Sequence, residues 1–256
     1  MMRRQSHHVV IRFVFTASLV WLVAGATANE NESWNDLTSL GQKTWRGSTG
    51  QWLVVGDARL DPEDQKHLIA TAGSGVLWNG PDGSTNNLIT TQEFGDVAVQ
   101  MEFMVPAGSN SGVKFHGLYE IQILDSWGVE KPTASDCGGI YPRAELKPAY
   151  HLLDEGVPPK TNAARPPGAW QTLEAIFQSP RFDSDGKKVA NARFVKVALN
   201  GTLIHQDVEV PTPTGHAWRD PEHPVGPLLI QGDHGPIAVR KLRVRRWDHE
   251  TVGASR

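Results

Sequence analysis

The densest set of polar side chains in an apolar setting is GSNSGVKFHGLYEIQILDSWG, Gly108 to Gly128. Strand alternation puts Glu120 and Gln122 on one face and Tyr119, Ile121 and Ile123 on the other. The second set reads as core. Lys114 and His116 likewise share a face opposite Val113 and Phe115. If the two strands pair, an ammonium, an imidazole, a carboxylate and an amide form one patch suited to a polar ligand. An ordinary solvated sheet face has the same pattern, and alternation alone does not separate the two. Asp125 lies at an odd offset from Glu120, so a regular strand turns it to the opposite face, and only a β-bulge would bring it back. With such a bulge the two carboxylates would suit a retaining glycosidase, which needs them about 5 Å apart. The string here is E-I-Q-I-L-D, with an amide where a middle acid would stand, and this argues against that mechanism.

A second cluster is GPLLIQGDHG, Gly226 to Gly235, in which Gln231 and Asp233 share a strand face and His234 sits at a turn. Histidine exchanges protons near neutral pH, so His234 is a candidate acid or base. A lone histidine near a turn more often braces it by hydrogen bonds. Convergence with Glu120 would favour the catalytic role. No metal-ligand spacing stands out; Asp125, Asp136, Asp183 and Asp185 offer oxygens to a divalent cation without a pattern joining them. No Gly-x-Ser-x-Gly elbow and no phosphate loop occur. Cys137 reads as a packed small residue, and a lone cysteine excludes an internal disulfide framework.

The elements that must position these groups are strands. Val97 to Val105 alternates with period two, Phe194 to Leu199 and Thr202 to Gln206 flank an Asn200-Gly201 turn, and Leu228 to Gln231 and Ile237 to Val244 close the chain. Twenty-five glycines, seventeen prolines and no long helical periodicity argue against a helical bundle or a doubly wound nucleotide fold. The pattern predicts one antiparallel sandwich, a single all-β domain of about 200 residues. Ser126 to Pro167, rich in Pro, Gly and Ala, is too long for a quiet connection and is expected to form a rim or lid over a site. Asp183 to Gly186 and Thr212 to Pro227 are further loops, the latter carrying His216, Trp218 and His223.

Met1 to Ala28 has three arginines, no acid, an apolar run and a terminal Ala-Thr-Ala, the signature of a secretory signal peptide cut after Ala28. The expectation is an exported protein, periplasmic or extracellular, without a stable membrane span after cleavage. The mature chain would be residues 29–256, and losing three arginines takes its formal charge from −3 to −6. That balance argues against a nucleic-acid or anionic-membrane binder, Arg240 to Arg246 being a local basic exception.

Several segments together resemble one family. NSGVKFHGLYEIQILDS, CGGIY, RPPGAWQTLEAIFQSPRFDSDGKKVANARFVKVALNG and GPLLIQGDHGPIAVRKLRV follow the order of the 3-keto-disaccharide hydrolase family, over about Trp45 to Trp247. The resemblance implies a concanavalin A-like jelly-roll sandwich and, for some members, cleavage of sugars or glycosides already oxidised at C3. A C3 ketone acidifies the C2 hydrogen; a base removes it, the C1 substituent leaves, and water adds to the unsaturated sugar. This route needs one base and donors or a cation for the enolate oxygen, not two opposed carboxylates. By position Asn110, Glu120, Gln122, Asp125, Gln231, His234 and Arg240 fall on the family's polar pattern. Glu120 or His234 is then the expected base, with Lys114, Gln122 and Gln231 orienting hydroxyls or the ketone. Where the family has Arg, this chain has His116, a shorter side chain that titrates. The alternative is a non-catalytic carbohydrate-binding sandwich with Trp78, Trp127 or Trp218 as sugar platforms.

Overall fold

The computed structural model describes residues 33–248. The signal peptide expected over Met1 to Ala28 lies outside them. The described chain is all strand and loop. Its strands are β1 (Asn35–Asp36), β2 (Leu53–Leu60), β3 (Leu68–Trp78), β4 (Leu88–Phe94), β5 (Val97–Met104), β6 (Asn110–Phe115), β7 (Tyr119–Leu124) and β8 (Ala144–Glu145). The second half adds β9 (His151–Leu152), β10 (Gln171–Gln178), β11 (Arg181–Phe182), β12 (Lys188–Ala190), β13 (Ala192–Leu199), β14 (Thr202–Val210), β15 (Gly226–Ile230) and β16 (Ala238–Arg246). Among the described residues no helix is long and apolar enough to cross a membrane.

The large sheet runs β14-β13-β10-β5-β16-β3-β2, with β1 also on β16; the small one runs β4-β15-β6-β7. Every pairing between these strands is antiparallel. Period-two alternation builds the interior. On β5, Val97, Val99, Met101 and Phe103 are buried while Gln100 and Glu102 on the other face stay partly wet. On the small sheet Val113, Phe115, Tyr119, Ile121 and Ile123 enter the same core. Phe115 meets Phe177 and Phe194 of the large sheet with ring centroids 5.2 Å apart in each case. The two sheets therefore pack face to face as an all-β sandwich of the jelly-roll type. Each such aromatic pair is worth about 0.5–1.5 kcal/mol beyond its buried area.

The Asn200-Gly201 turn is of the I′ kind: both residues are left-handed, with φ of 52° and 79°, and Leu199 pairs directly with Thr202. Strands β2 and β3 escaped the alternation test for a physical reason. The middle of β3 is exposed on both sides, so no apolar face marks it, and the β2–β3 register breaks between Val55 and Asp57. Gly56 and Gly73 touch there; a Cβ on Gly73 would stand 2.5 Å from the Gly56 Cα.

The long segment after β7 is ordered by the edge of the small sheet. Gly138 N–H donates to the Gln122 carbonyl and Gln122 N–H to the Gly139 carbonyl, both at 2.8 Å, and Tyr141 N–H donates to the Glu120 carbonyl at 3.1 Å. Ile140 in turn exchanges two bonds of 3.0 Å with Val157. The chain thus covers an edge that would otherwise stay open. It also brings CGGIY alongside the strand that carries Glu120.

Candidate active site

Pairing of β6 with β7 sets Lys114 opposite Glu120 and Gly112 opposite Gln122. With Val113 and Ile121 committed to the core, Lys114, Glu120 and Gln122 face away from it. On the other side of β6, Leu229 pairs with Lys114, and Gln231 N–H donates to the Gly112 carbonyl at 2.9 Å. Strands β6 and β7 and the residue just after β15 thus converge four polar side chains. Lys114 Nζ lies 3.1 Å from Glu120 Oε2, and the two side chains are only 10% and 4% exposed. Gly112 gives the carboxylate its room: a Cβ there would stand 2.5 Å from Glu120 Oε1 and 3.0 Å from Gln231 Oε1.

Loops supply the walls. Gly215 has a φ of 62°, and a Cβ on it would stand 3.8 Å from Lys114 Nζ and 3.9 Å from Glu120 Oε2, so its backbone lies over the ion pair. Its neighbour Thr214 is clipped to the edge of β7: Thr214 N–H and Oγ1 each donate to the Leu118 carbonyl at 3.0 Å, and Glu120 N–H donates to Thr214 Oγ1 at 3.0 Å. From the long segment come Tyr141 and Tyr150, whose hydroxyls are 2.7 Å apart. Burial, the Tyr141 hydroxyl and the charge of Glu120 all push the Tyr150 phenol above its ordinary pKa. The result is a cavity of about 320 Å³ lined by Asn110, Lys114, Glu120, Gln122, Tyr141, Tyr150, Gly215, His216, Gln231 and His234. Among these described residues Glu120 is the one carboxylate.

Glu120 and His234 thus line one cavity in different settings. Glu120 is sunk in the floor, 3% exposed. The His234 side chain is half-exposed at the mouth, its Nδ1 2.7 Å from the carboxylate of Asp233. Asn79, fully buried, braces that turn: its Nδ2 donates to the Gly232 and Gly235 carbonyls at 3.1 and 2.9 Å, and its Oδ1 accepts from Ile237 N–H at 2.8 Å. Gln122 Nε2 donates to the Ser135 carbonyl at 3.3 Å, while its Oε1 has no partner.

Three residues expected at the site lie elsewhere. His116 follows β6 in a tight turn with a φ of 56°, which breaks the alternation that would have set it beside Lys114. Its ring packs 5.0 Å from Phe177 and 6.2 Å from Tyr119, and burial lowers its pKa. Asp125 gains no bulge, since the β6–β7 register is unbroken; it accepts instead from Gly108 N–H at 2.9 Å and Trp127 N–H at 3.3 Å. Arg240 belongs to β16 in the large sheet, where its Nε donates to Glu102 at 2.6 Å and its guanidinium stacks 4.0 Å from the Trp170 ring. Among the described residues no three His, Cys, Asp or Glu side chains gather as a metal site.

Sequence reasoning missed Tyr141, Tyr150 and Gly215, and named His216 only as part of a possible rim. The signal for Tyr141 was present in CGGIY, but its partner strand could not be read from local pattern. The tryptophans expected as sugar platforms do not line the cavity. Trp127 is 58% exposed, Trp218 has the guanidinium groups of Arg143 and Arg219 5.3 and 4.1 Å from its ring centre, and Trp78 sits on β3 of the large sheet.

The sequence profile of the 3-keto-alpha-glucoside-1,2-lyase-like domain matches residues 30–245. Among solved structures, a Parabacteroides distasonis ATCC 8503 protein provisionally named a glycosyl hydrolase has 24% identity and a TM-score of 0.58, over 84% of each chain. A second protein of that organism, similarly named, has 19% identity and a TM-score of 0.49 over 84% of this chain and 100% of its own. The alginate lyase vAL-1 from Chlorella virus has 13% identity and a TM-score of 0.40 over 84% and 99%. The first of these likenesses supports the fold. A search of curated proteins finds no match.

Proposed function

Because the chain belongs to the 3-keto-alpha-glucoside-1,2-lyase-like domain family, we propose that it is an exported carbohydrate-active enzyme that cleaves glycosides carrying a ketone at C3. Glu120 is the base. It takes the C2 proton, the electron pair moves into the enolate of the C3 ketone, and the C1 substituent departs; water then adds across the C1–C2 double bond. What carries the reading is the single carboxylate on the floor of the cavity, paired with the Lys114 ammonium at 3.1 Å. A conventional glycosidase needs two carboxylates astride the bond. An enolate route needs one base and positive or hydrogen-donating groups beside the developing oxyanion, and Lys114, Asn110, Gln122 and Gln231 are of those kinds. Fixed groups in a water-poor pocket act more strongly than the same groups in water.

Between the two expected bases, Glu120 is favoured. It is held from both sides, by Lys114 and by the Thr214 clip on its own backbone, whereas His234 is engaged with Asp233 at the solvent edge.

The test is turnover of a 3-keto-glucoside panel and its unoxidised parents by mature protein, Glu120→Gln and His234→Asn. Glu120→Gln is expected to lose about 10²–10⁴-fold, the usual worth of a general base, and His234→Asn much less. Undiminished turnover by Glu120→Gln removes it as the base. Cleavage of only the unoxidised parents overturns the enolate route. Binding of glycosides without turnover by the intact protein would instead favour the carbohydrate-binding alternative.

A further inference from the structure

Elimination has a second proton requirement that the base does not meet. As the C1–O bond breaks, an alcohol leaves poorly as an alkoxide and well once protonated. Glu120 is taking a proton at that moment, and the Lys114 ammonium is held against it. His234 is engaged with Asp233 at the solvent edge, and the cavity lining also offers two hydroxyl groups. Tyr141 and Tyr150 present their hydroxyls 2.7 Å apart in its lining. They arrive by separate routes. Tyr141 follows the strip of chain hydrogen-bonded along β7, its own N–H on the Glu120 carbonyl. Tyr150 stands between β8 and β9, 53% exposed, where the cavity meets solvent.

Resting on the enolate reading above, we infer that Tyr150 is the catalytic acid that protonates the departing glycosidic oxygen, with Tyr141 as the positioning residue that holds its hydroxyl and shares the phenolate charge. In the first half-reaction the C2–H bond breaks and its proton goes to Glu120. The C1–C2 double bond forms, the C1–O bond breaks, and the Tyr150 proton goes to the leaving oxygen, releasing an alcohol. In the second half a water oxygen bonds to C1, its proton returns to the Tyr150 phenolate, and C2 recovers a proton from Glu120. The sum is one glycosidic bond exchanged for water, with both side chains restored and no oxidant or reductant consumed. The exposure of Tyr150 fits the role, because the aglycone must depart toward solvent. A phenol is already protonated near neutral pH, as an acid must be at rest, and partial burial, Tyr141 and the Glu120 charge push its pKa further up.

The experiment compares two 3-keto-glucosides that differ only in the leaving group, methanol and 4-nitrophenol, with spontaneous elimination subtracted. Nitrophenolate departs without a proton. Tyr150→Phe is expected to lose about 100-fold or more in kcat/KM on the methyl glycoside and less than about tenfold on the nitrophenyl one. Exchange of the C2 hydrogen in D2O should persist in the variant, since Glu120 is untouched. Tyr141→Phe should show the same contrast with a smaller loss. Equal losses on both substrates, in a variant whose melting temperature matches wild type, overturn the assignment of Tyr150 while leaving the enolate route standing. Wild-type protein that exchanges no C2 hydrogen and cleaves neither substrate overturns the route itself and this assignment with it.

Discussion

Gly112→Ala isolates the placement of the carboxylate from its chemistry. The added Cβ would stand 2.5 Å from Glu120 Oε1 and 3.0 Å from Gln231 Oε1, where ordinary contact begins at 3.4 Å. The carboxylate must retreat by about 0.9 Å, the difference between the first distance and ordinary contact. It has little room, with Lys114 on Oε2 and the Gly215 backbone above the pair. Gly112 is not among the left-handed glycines, so its backbone accepts alanine and the fold should survive. Overpacking of this kind costs about 1–3 kcal/mol. Displacement of a reacting group by about 1 Å can cost about 100-fold in rate. The expected outcome is therefore a kcat/KM near 1% of wild type on a 3-keto-glucoside, with a melt lowered by a few degrees. Introduced into Glu120→Gln, the same alanine should cost little more, because the group it displaces no longer acts. Wild-type kcat/KM in Gly112→Ala, or a full second loss in the double variant, would refute the placement argument.

Lys114→Met leaves Glu120 buried without its cation. Removing one partner of a buried pair costs about 3–5 kcal/mol, so the variant should melt well below wild type, and adding Glu120→Gln should recover much of the loss; a melt unchanged by Lys114→Met would show that the pair is not buried as described. Burial holds the His116 and His205 imidazoles below their ordinary pKa in the folded state. Unfolded, they bind protons near pH 6.5, so stability is full above that pH and declines as pH falls below it. Urea midpoints should drop between pH 7.5 and pH 5, and His116→Phe should flatten the slope; an identical slope in that variant would be the contrary result. Cys137 is fully buried and its thiol is pushed up to about 12 by that burial. Native protein should react with a thiol reagent at pH 8 only as fast as it opens, and rapid labelling without denaturant would contradict the packing.

What the linear chain determined was the local chemistry of its strands. Period-two alternation is a property of successive residues, so it separated Lys114, Glu120 and Gln122 from Val113, Ile121 and Ile123 without knowledge of any neighbour. The Asn-Gly turn and the all-β class followed in the same way. The same local rule failed wherever the backbone left the extended form. One left-handed residue turned His116 off the patch, and an absent bulge left Asp125 on the Gly108 and Trp127 amides. Arg240 was carried by family position, and sheet order placed it on the far sheet beside Glu102.

Tertiary structure alone decided which strands became neighbours. Gln231 reaches Gly112 because β15 lies between β4 and β6, a pairing across more than a hundred residues of sequence that no local pattern encodes. Tyr141, Tyr150 and Gly215 enter the cavity because an unpaired sheet edge has backbone groups to satisfy, and the long segment and the Thr214 clip satisfy them there. The residue types were written in the chain. Their meeting point was set by long-range hydrogen bonds and by two apolar faces that had to be buried against each other.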